Sequence, residues 1–439
     1  MGCRKKADTS FATLNVNTSY VQLEYEIDSY NMGKKQSHVI QRTILFLMIF
    51  QSIGLRLFQG IGITLLIIIF ILALPKARFS KVLKPYLIIE AVYLVLSVLK
   101  GIEVKSIIIN SAAIFDACLF ISMYRDFHSL VDDLYAVLRI YCLQAFISIP
   151  VFLLVPESAL KILNNDGMMI TPRTFAYLFY YPMEKSILGF PRISGWCWEP
   201  GTFQLVANMF LLLKIIRRDS IKSMAWVVFV ILSTFSTLAY FCLLLNIVAA
   251  IWNSKRRAMM TFVILLSVPL ASGIFMTNIS EKLGDDNTSG LIRKRDIFIG
   301  MQIVKENPIL GYDTDKLETS RDATKLEDKF WATNSNLPSW TQYSGYFAGG
   351  YTNGFFGALM SYGLIIGLFL FYCIYRIPLF EKKRERLCVL VFWVMSLQSE
   401  SVSIYCSFFY LFVMLGFIEI LSERKKRRTP NYKLSEYRQ

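Results

Sequence analysis

Long apolar runs separated by short polar breaks dominate the chain from about residue 43 to 421. A helix needs roughly 20 apolar residues to cross a bilayer, so runs of this kind with few charges predict membrane spans. About twelve are expected, at roughly 43–58, 61–75, 84–100, 106–124, 137–155, 201–216, 224–238, 239–253, 259–276, 351–375, 387–400 and 402–421. The pairs 43–75 and 224–253 read equally as tight hairpins or as single long tilted helices. Two long polar stretches, about 156–200 and 277–350, interrupt the pattern. The expected fold class is an all-α polytopic membrane protein with two large loops. Residues 1–40 are polar and mixed in charge, so they predict a cytoplasmic extension and no cleavable signal peptide. Residues 41–421 form the membrane domain, and 422–439 form a basic tail.

Charge then orients the spans. The chain carries 47 Lys and Arg against 32 Asp and Glu, a formal net charge of +15. An even number of spans puts both termini on one side. Lys34, Lys35 and Arg42 fall on that side, as do Lys76, Arg78, Lys81 and Lys84, Arg217, Arg218 and Lys222, Lys255, Arg256 and Arg257, Lys382, Lys383, Arg384 and Arg386, and the tail Arg424–Arg428. The positive-inside rule makes it cytoplasmic and both long loops external. Basic residues dispersed over so many loops exclude nucleic-acid binding, which wants one continuous patch. Six of the eight cysteines lie in apolar runs and behave as small hydrophobes, with no metal or redox spacing. No internal repeat is visible, which disfavours transporter folds built from two related halves.

The loops hold the candidate chemistry. Group transfer on an external face has no nucleotide sugar to draw on, so its substrate must arrive activated, as a sugar on a polyprenyl diphosphate does. Such a site needs cations for the leaving diphosphate, and arginine grips phosphate oxygens bidentately without losing its proton. It also needs a base for the acceptor hydroxyl. Arg192, Arg293 and Arg295 can supply the first and Glu199 the second. Pro200 predicts an extended Glu199 and a helix starting just after it; Glu199 is then either the base or a carboxylate stabilised by the helix dipole. Trp196 and Trp198 are interface anchors or sugar platforms. The segment Ile297–Val304 reads as an amphipathic stretch suited to the membrane surface. Asp313-Thr314-Asp315 spells a metal-binding DxD, yet two aspartates in a polar loop are common, and no metal is expected. Arg56, Glu90, Asp116, Arg139 and Glu400 fall inside predicted spans; Asp116 and Arg139 are candidates to pair.

At these residues the chain resembles the O-antigen polymerase and ligase superfamily of bacterial envelope glycosyltransferases, the Wzy-type polymerases most of all. Arg192-Ile193-Ser194-Gly195-Trp196-Cys197-Trp198-Glu199-Pro200 resembles their Arg-x-x-Gly-aromatic-x-x-Glu-Pro signature. Arg293, followed by Glu306-Asn307-Pro308-Ile309-Leu310-Gly311, is similar to the second loop. Tyr351-Thr352-Asn353-Gly354 and Tyr362-Gly363 resemble the segment opening the next span, with Thr352 where a histidine is common. The resemblance implies a GT-C-like, metal-independent and cofactor-free inverting polymerase in the bacterial inner membrane. Its donor and acceptor would be undecaprenyl-diphosphate-linked glycans. Glu199, Arg192 and Arg293 would be catalytic, and Arg295, Thr352, Asn353 and Trp198 would bind substrate. A chain-length regulator and a flippase would be its partners. A ligase transferring polymer to lipid A core ranks second, and a lipid-linked-oligosaccharide flippase third.

Overall fold

The computed structural model describes residues 38–54, 61–79, 82–162, 173–181, 192–253, 288–313, 321–333, 353–399 and 404–428. It is mostly helical, as expected of an all-α membrane protein. In chain order the described helices are α1 (His38–Ile53), α2 (Ile61–Ala73), α3 (Leu83–Lys100), α4 (Val104–Ser122), α5 (Phe127–Leu154), α6 (Pro200–Ile216), α7 (Ile221–Leu232), α8 (Thr237–Asn253), α9 (Thr288–Glu306), α10 (Arg321–Thr333), α11 (Gly354–Tyr375), α12 (Lys383–Ser399) and α13 (Ser407–Arg428). Both ambiguous pairs are therefore two helices each. The predicted span 259–276 lies outside the described residues. Between α5 and α6 the chain adds a small antiparallel sheet, β1 (Lys161–Ile162), β2 (Arg173–Phe175) and β3 (Phe179–Tyr181), in that order.

Local sequence sets the boundaries. The Asp126 side chain accepts the Ser129 N–H at 2.8 Å and starts α5. Gly101, at φ 63°, ends α3 in the left-handed conformation that glycine adopts without strain. Helices α2 and α3 turn Ile67, Ile71, Leu87, Val95 and Val98 outward, each more than half exposed. A face so continuous and apolar belongs against lipid. By length and composition Val104–Ser122, Phe127–Leu154 and Gly354–Tyr375 are long and apolar enough to cross a membrane.

The last of these does not run straight. A straight α-helix rises 1.5 Å per residue, so residues sixteen apart stand about 24 Å apart. Yet the rings of Phe355 and Phe371 are 5.0 Å apart, and a Cβ on Gly367 would lie 3.0 Å from the Leu359 Cα. Both pairs are centred on Gly363, whose φ of 71° and ψ of 165° are non-helical. Helix α11 is thus a hairpin with arms 354–362 and 364–375. The single span expected at 351–375 is corrected accordingly: periodicity reads the apolar run but not the reversal inside it.

Polar contacts hold the two ends of the bundle. At the basic end the fully buried Asp133 accepts from Arg42 Nε at 2.7 Å and Tyr124 Oη at 2.9 Å, with His38 Nδ1 at 3.1 Å. Nearby, Lys214 Nζ donates to Asp219 at 2.7 Å, and Arg376 pairs with Glu423. At the opposite end the Ser407 N–H donates to Gln51 Oε1 at 3.3 Å and the Phe408 N–H to Ser52 Oγ at 3.4 Å, joining α1 to α13. The expected Asp116–Arg139 pair does not form: Asp116 is buried in α4, Arg139 is exposed on α5, and no ion pair joins them. Five residues separate the α4 serine that bonds Glu90 from Asp116, which places Asp116 on another helix face. Arg56 and Glu400 lie outside the described residues.

Candidate functional site at the far end of the bundle

The chain from Arg192 to Pro200 forms a tight turn wedged between three elements. The Ile193 N–H donates to the Ser233 carbonyl at 3.0 Å, and Arg192 Nε reaches the Thr234 carbonyl at 3.4 Å. Both therefore abut the turn between α7 and α8. The Trp198 N–H donates to the Ile53 carbonyl at 2.9 Å, tying the turn to the end of α1. Gly195, at φ 58°, lets the backbone lie against α5, where a Cβ would press on the Gln144 amide oxygen. Cys197 is fully buried, and its backbone pairs with Gly54.

Glu199 has extended backbone, and α6 begins at Pro200, as Glu-Pro predicts. Thr202 Oγ1 donates to the Glu199 carbonyl at 2.8 Å, and the Trp198 indole N–H donates to the Glu199 carboxylate at 3.2 Å. Burial, and then the charge of Glu199, hold the Tyr180 hydroxyl above its ordinary range. Glu199 thus stands half-buried at a helix N-terminus beside an indole donor and a neutral phenol. Trp196 is committed to packing: its indole donates to the Leu178 carbonyl at 2.9 Å and meets Phe46 and Tyr141 edge-on.

The second motif meets the hairpin. Asn307–Gly311 follows α9 and caps the tip of α11. The Tyr312 N–H donates to the Met360 carbonyl at 2.6 Å, and the Leu364 N–H donates to the Pro308 carbonyl at 2.8 Å. These are the backbone groups that the end of one arm and the start of the next leave without a helical partner. Two glycines allow the approach. A Cβ on Gly311 would strike the Met360 oxygen, and one on Gly363 would strike the Ile309 oxygen. Lys100, at the end of α3, donates to the Ser361 carbonyl, placing its charge at the negative end of the first arm. Below the tip Tyr362 pairs with Tyr410 through their hydroxyls, and the rings of Tyr93 and Tyr405 lie tilted against it.

The three remaining candidates within the described residues are dispersed. Arg295 is buried in the interface of α9 with α10, where it donates to Asp296 Oδ1 at 2.7 and 3.0 Å and to Glu327 Oε1 at 3.3 Å. Burial pushes the Glu327 carboxyl up, with the Arg295 charge opposing it. This geometry makes Arg295 a pin between two helices. Arg293 is half-buried two residues earlier on α9, fourteen residues before Asn307 and so about 21 Å from it along the axis. The apolar side of α9, Ile299 and Ile303, packs on Met360 of α11, where the sequence suggests a membrane-surface face. Asn353 starts the first hairpin arm, its side chain accepting the Phe356 N–H at 3.1 Å. Thr352 lies outside the described residues.

Contacts chain these motifs together. Trp198 touches Ile53, the end of α1 holds the start of α13, and Tyr410 of α13 holds Tyr362 beside the tip. Sequence reasoning missed Lys100 and the tyrosine cluster, since each reads locally as a helix end or an apolar position. Among the described residues no cluster of His, Cys, Asp and Glu could hold a metal; Asp313 is buried, and Asp315 lies outside them. No family model, no curated protein and no solved structure matches the chain.

Proposed function

We propose that this chain is an O-antigen-polymerase-type glycosyltransferase of the bacterial inner membrane, with both termini in the cytoplasm. It joins undecaprenyl-diphosphate-linked repeat units on the external face. The observation that supports this reading is the gathering of the Arg192–Pro200 turn, the Asn307–Gly311 cap and the α11 tip at the end of the bundle opposite the Asp133 and Lys214 ion pairs.

In the proposed reaction Glu199 takes the proton from a hydroxyl of the acceptor glycan. The hydroxyl oxygen attacks the anomeric carbon of the donor from the side opposite the diphosphate, and the bond to the diphosphate oxygen breaks with inversion. Arg192 and Arg293 receive the charge that gathers on the leaving diphosphate. Trp198 orients the Glu199 carboxylate and contributes its ring to the sugar. Thr352 and Asn353 belong to the substrate side of the same site.

The test is the surface glycan of a deletion strain complemented with variants at matched membrane levels. Loss of the ladder, with lipid A core capped by a single repeat, is expected on deletion and with Arg192→Ala. Glu199→Gln, which keeps shape and removes the base, is expected to lower polymer at least 100-fold. Long lipid-linked polymer with uncapped core, or single repeats held on the cytoplasmic side, would overturn the reading in favour of ligation or flipping.

A further inference from the structure

The first arm of α11, residues 354–362, begins inside the bundle. Its nine residues rise about 13 Å to the tip, and Asn353 at its start is 1% exposed. The Asn353 side-chain oxygen is used by the Phe356 N–H, while its Nδ2 is buried with no hydrogen-bond partner. A buried amide donor left unpaired costs about 1–3 kcal/mol, and native structures keep such groups where something else satisfies them. Gly357, one helical turn further on and on the same face, is itself buried, yet a Cβ there would meet no described atom within 4 Å. An orphaned donor, the positive end of a helix and a gap among the described residues thus share one face. Half-helices that start within a membrane protein and point their N-termini at an anionic group follow the same physics.

We infer that the start of this arm is a binding subsite for a phosphate oxyanion, with Asn353 Nδ2 as donor and the Gly357 gap as the room it occupies. Resting on the proposed function, the anion is the diphosphate of the lipid-linked substrate. Asn353 is a binding residue here, and it holds the diphosphate from the inner side of the tip while Arg192 takes the charge that gathers on it as it leaves.

The experiment is calorimetric titration of the purified full-length protein in nanodiscs with inorganic pyrophosphate and with undecaprenyl diphosphate. Asn353→Asp keeps the cap on the arm, because aspartate caps as well as asparagine, but removes the donor and adds a like charge to the anion. It is expected to weaken binding at least tenfold in protein that remains folded, which its melting temperature checks. Gly357→Leu, which fills the gap, is expected to do the same. Competition between the two probes would show that the diphosphate alone is recognised; binding of the lipid probe only, still lost in Asn353→Asp, would show recognition of the headgroup on its lipid. Both support the subsite. Unchanged affinity in Asn353→Asp, or no binding of either probe to the wild type, would overturn it. Normal polymer in Asn353→Asp would overturn the subsite and leave the polymerase reading standing. Asn353-dependent binding by a chain whose deletion leaves the ladder intact would do the reverse.

Discussion

Lys214 is all but buried near the basic end of α6, and a cation there needs a partner. It donates to Asp219 at 2.7 Å and to Ser223 at 2.7 Å, while the Tyr135 hydroxyl donates to Asp219 at 2.9 Å. Burial pushes the Asp219 carboxyl up, but these hydrogen bonds and the Lys214 charge outweigh it and hold the group below its ordinary 3.8. A depressed carboxyl stabilises the fold above its unfolded value and loses that contribution as pH falls through the folded value. Asp219→Asn is therefore expected to lower stability at pH 7 by about 1–3 kcal/mol, and the difference from wild type should shrink below about pH 4. Thermal unfolding in detergent across that range checks it; a difference independent of pH would mean the carboxylate is unimportant. At this scale the sequence is legible where a residue acts on its neighbours. Glu199-Pro200 announces an extended residue and a helix start, and both occur. Arg295 is not legible, because its partner Glu327 lies thirty-two residues away and only the packing of α9 on α10 buries the pair.

The element that departs most from its sequence pattern is α11. Hydrophobicity over residues 354–375 describes one apolar cylinder, and nothing in the composition distinguishes a straight helix from two packed arms. The reversal requires Gly363 at positive φ together with outside groups that satisfy the tip, and those come from Pro308, Tyr312 and Lys100. They stand far away in sequence, so the hairpin is invisible to any local window. The motif Asn307–Gly311 thereby acquires a physical meaning as the cap of this tip. Cysteines at Phe355 and Phe371 in a chain freed of its other cysteines are expected to cross-link with a short bifunctional reagent, since the hairpin holds these side chains in contact. A straight helix would hold them about 24 Å apart and give no product. Gly363→Ala should abolish the cross-link, because a non-glycine residue is strained in that essentially glycine-only conformation by about 1–3 kcal/mol and its Cβ strikes the Ile309 oxygen.

For the molecule as a whole, the order of the described apolar helices and most of their boundaries were legible, because a membrane environment makes the backbone satisfy itself within helices and leaves an apolar signature on each. Sidedness rests on charge alone and is open to direct measurement. Ser158, exposed beyond the end of α5, and Lys383, exposed at the start of α12, stand at opposite ends of the bundle. With cysteine at 158, a membrane-impermeant thiol reagent is expected to label intact cells whose outer membrane is permeable. With cysteine at 383 it should label only after the inner membrane is opened. The converse pattern would invert the topology and remove the external active site.

The short second arm of α11 has a consequence for encounter. Residues 364–375 rise about 18 Å, against roughly 30 Å of hydrocarbon, so the capped tip is recessed below the plane where headgroups of a flat leaflet lie. The bilayer thins beside it or polar groups dip towards it, each at a modest energetic cost. On the proposed function, a substrate tethered to the leaflet by a polyprenyl tail would need its diphosphate to dip only from the headgroup plane to that depth. It would arrive by sliding sideways within a two-dimensional sheet, while sugars dissolved in the surrounding water would have to cross a layer of lipid to reach the same place.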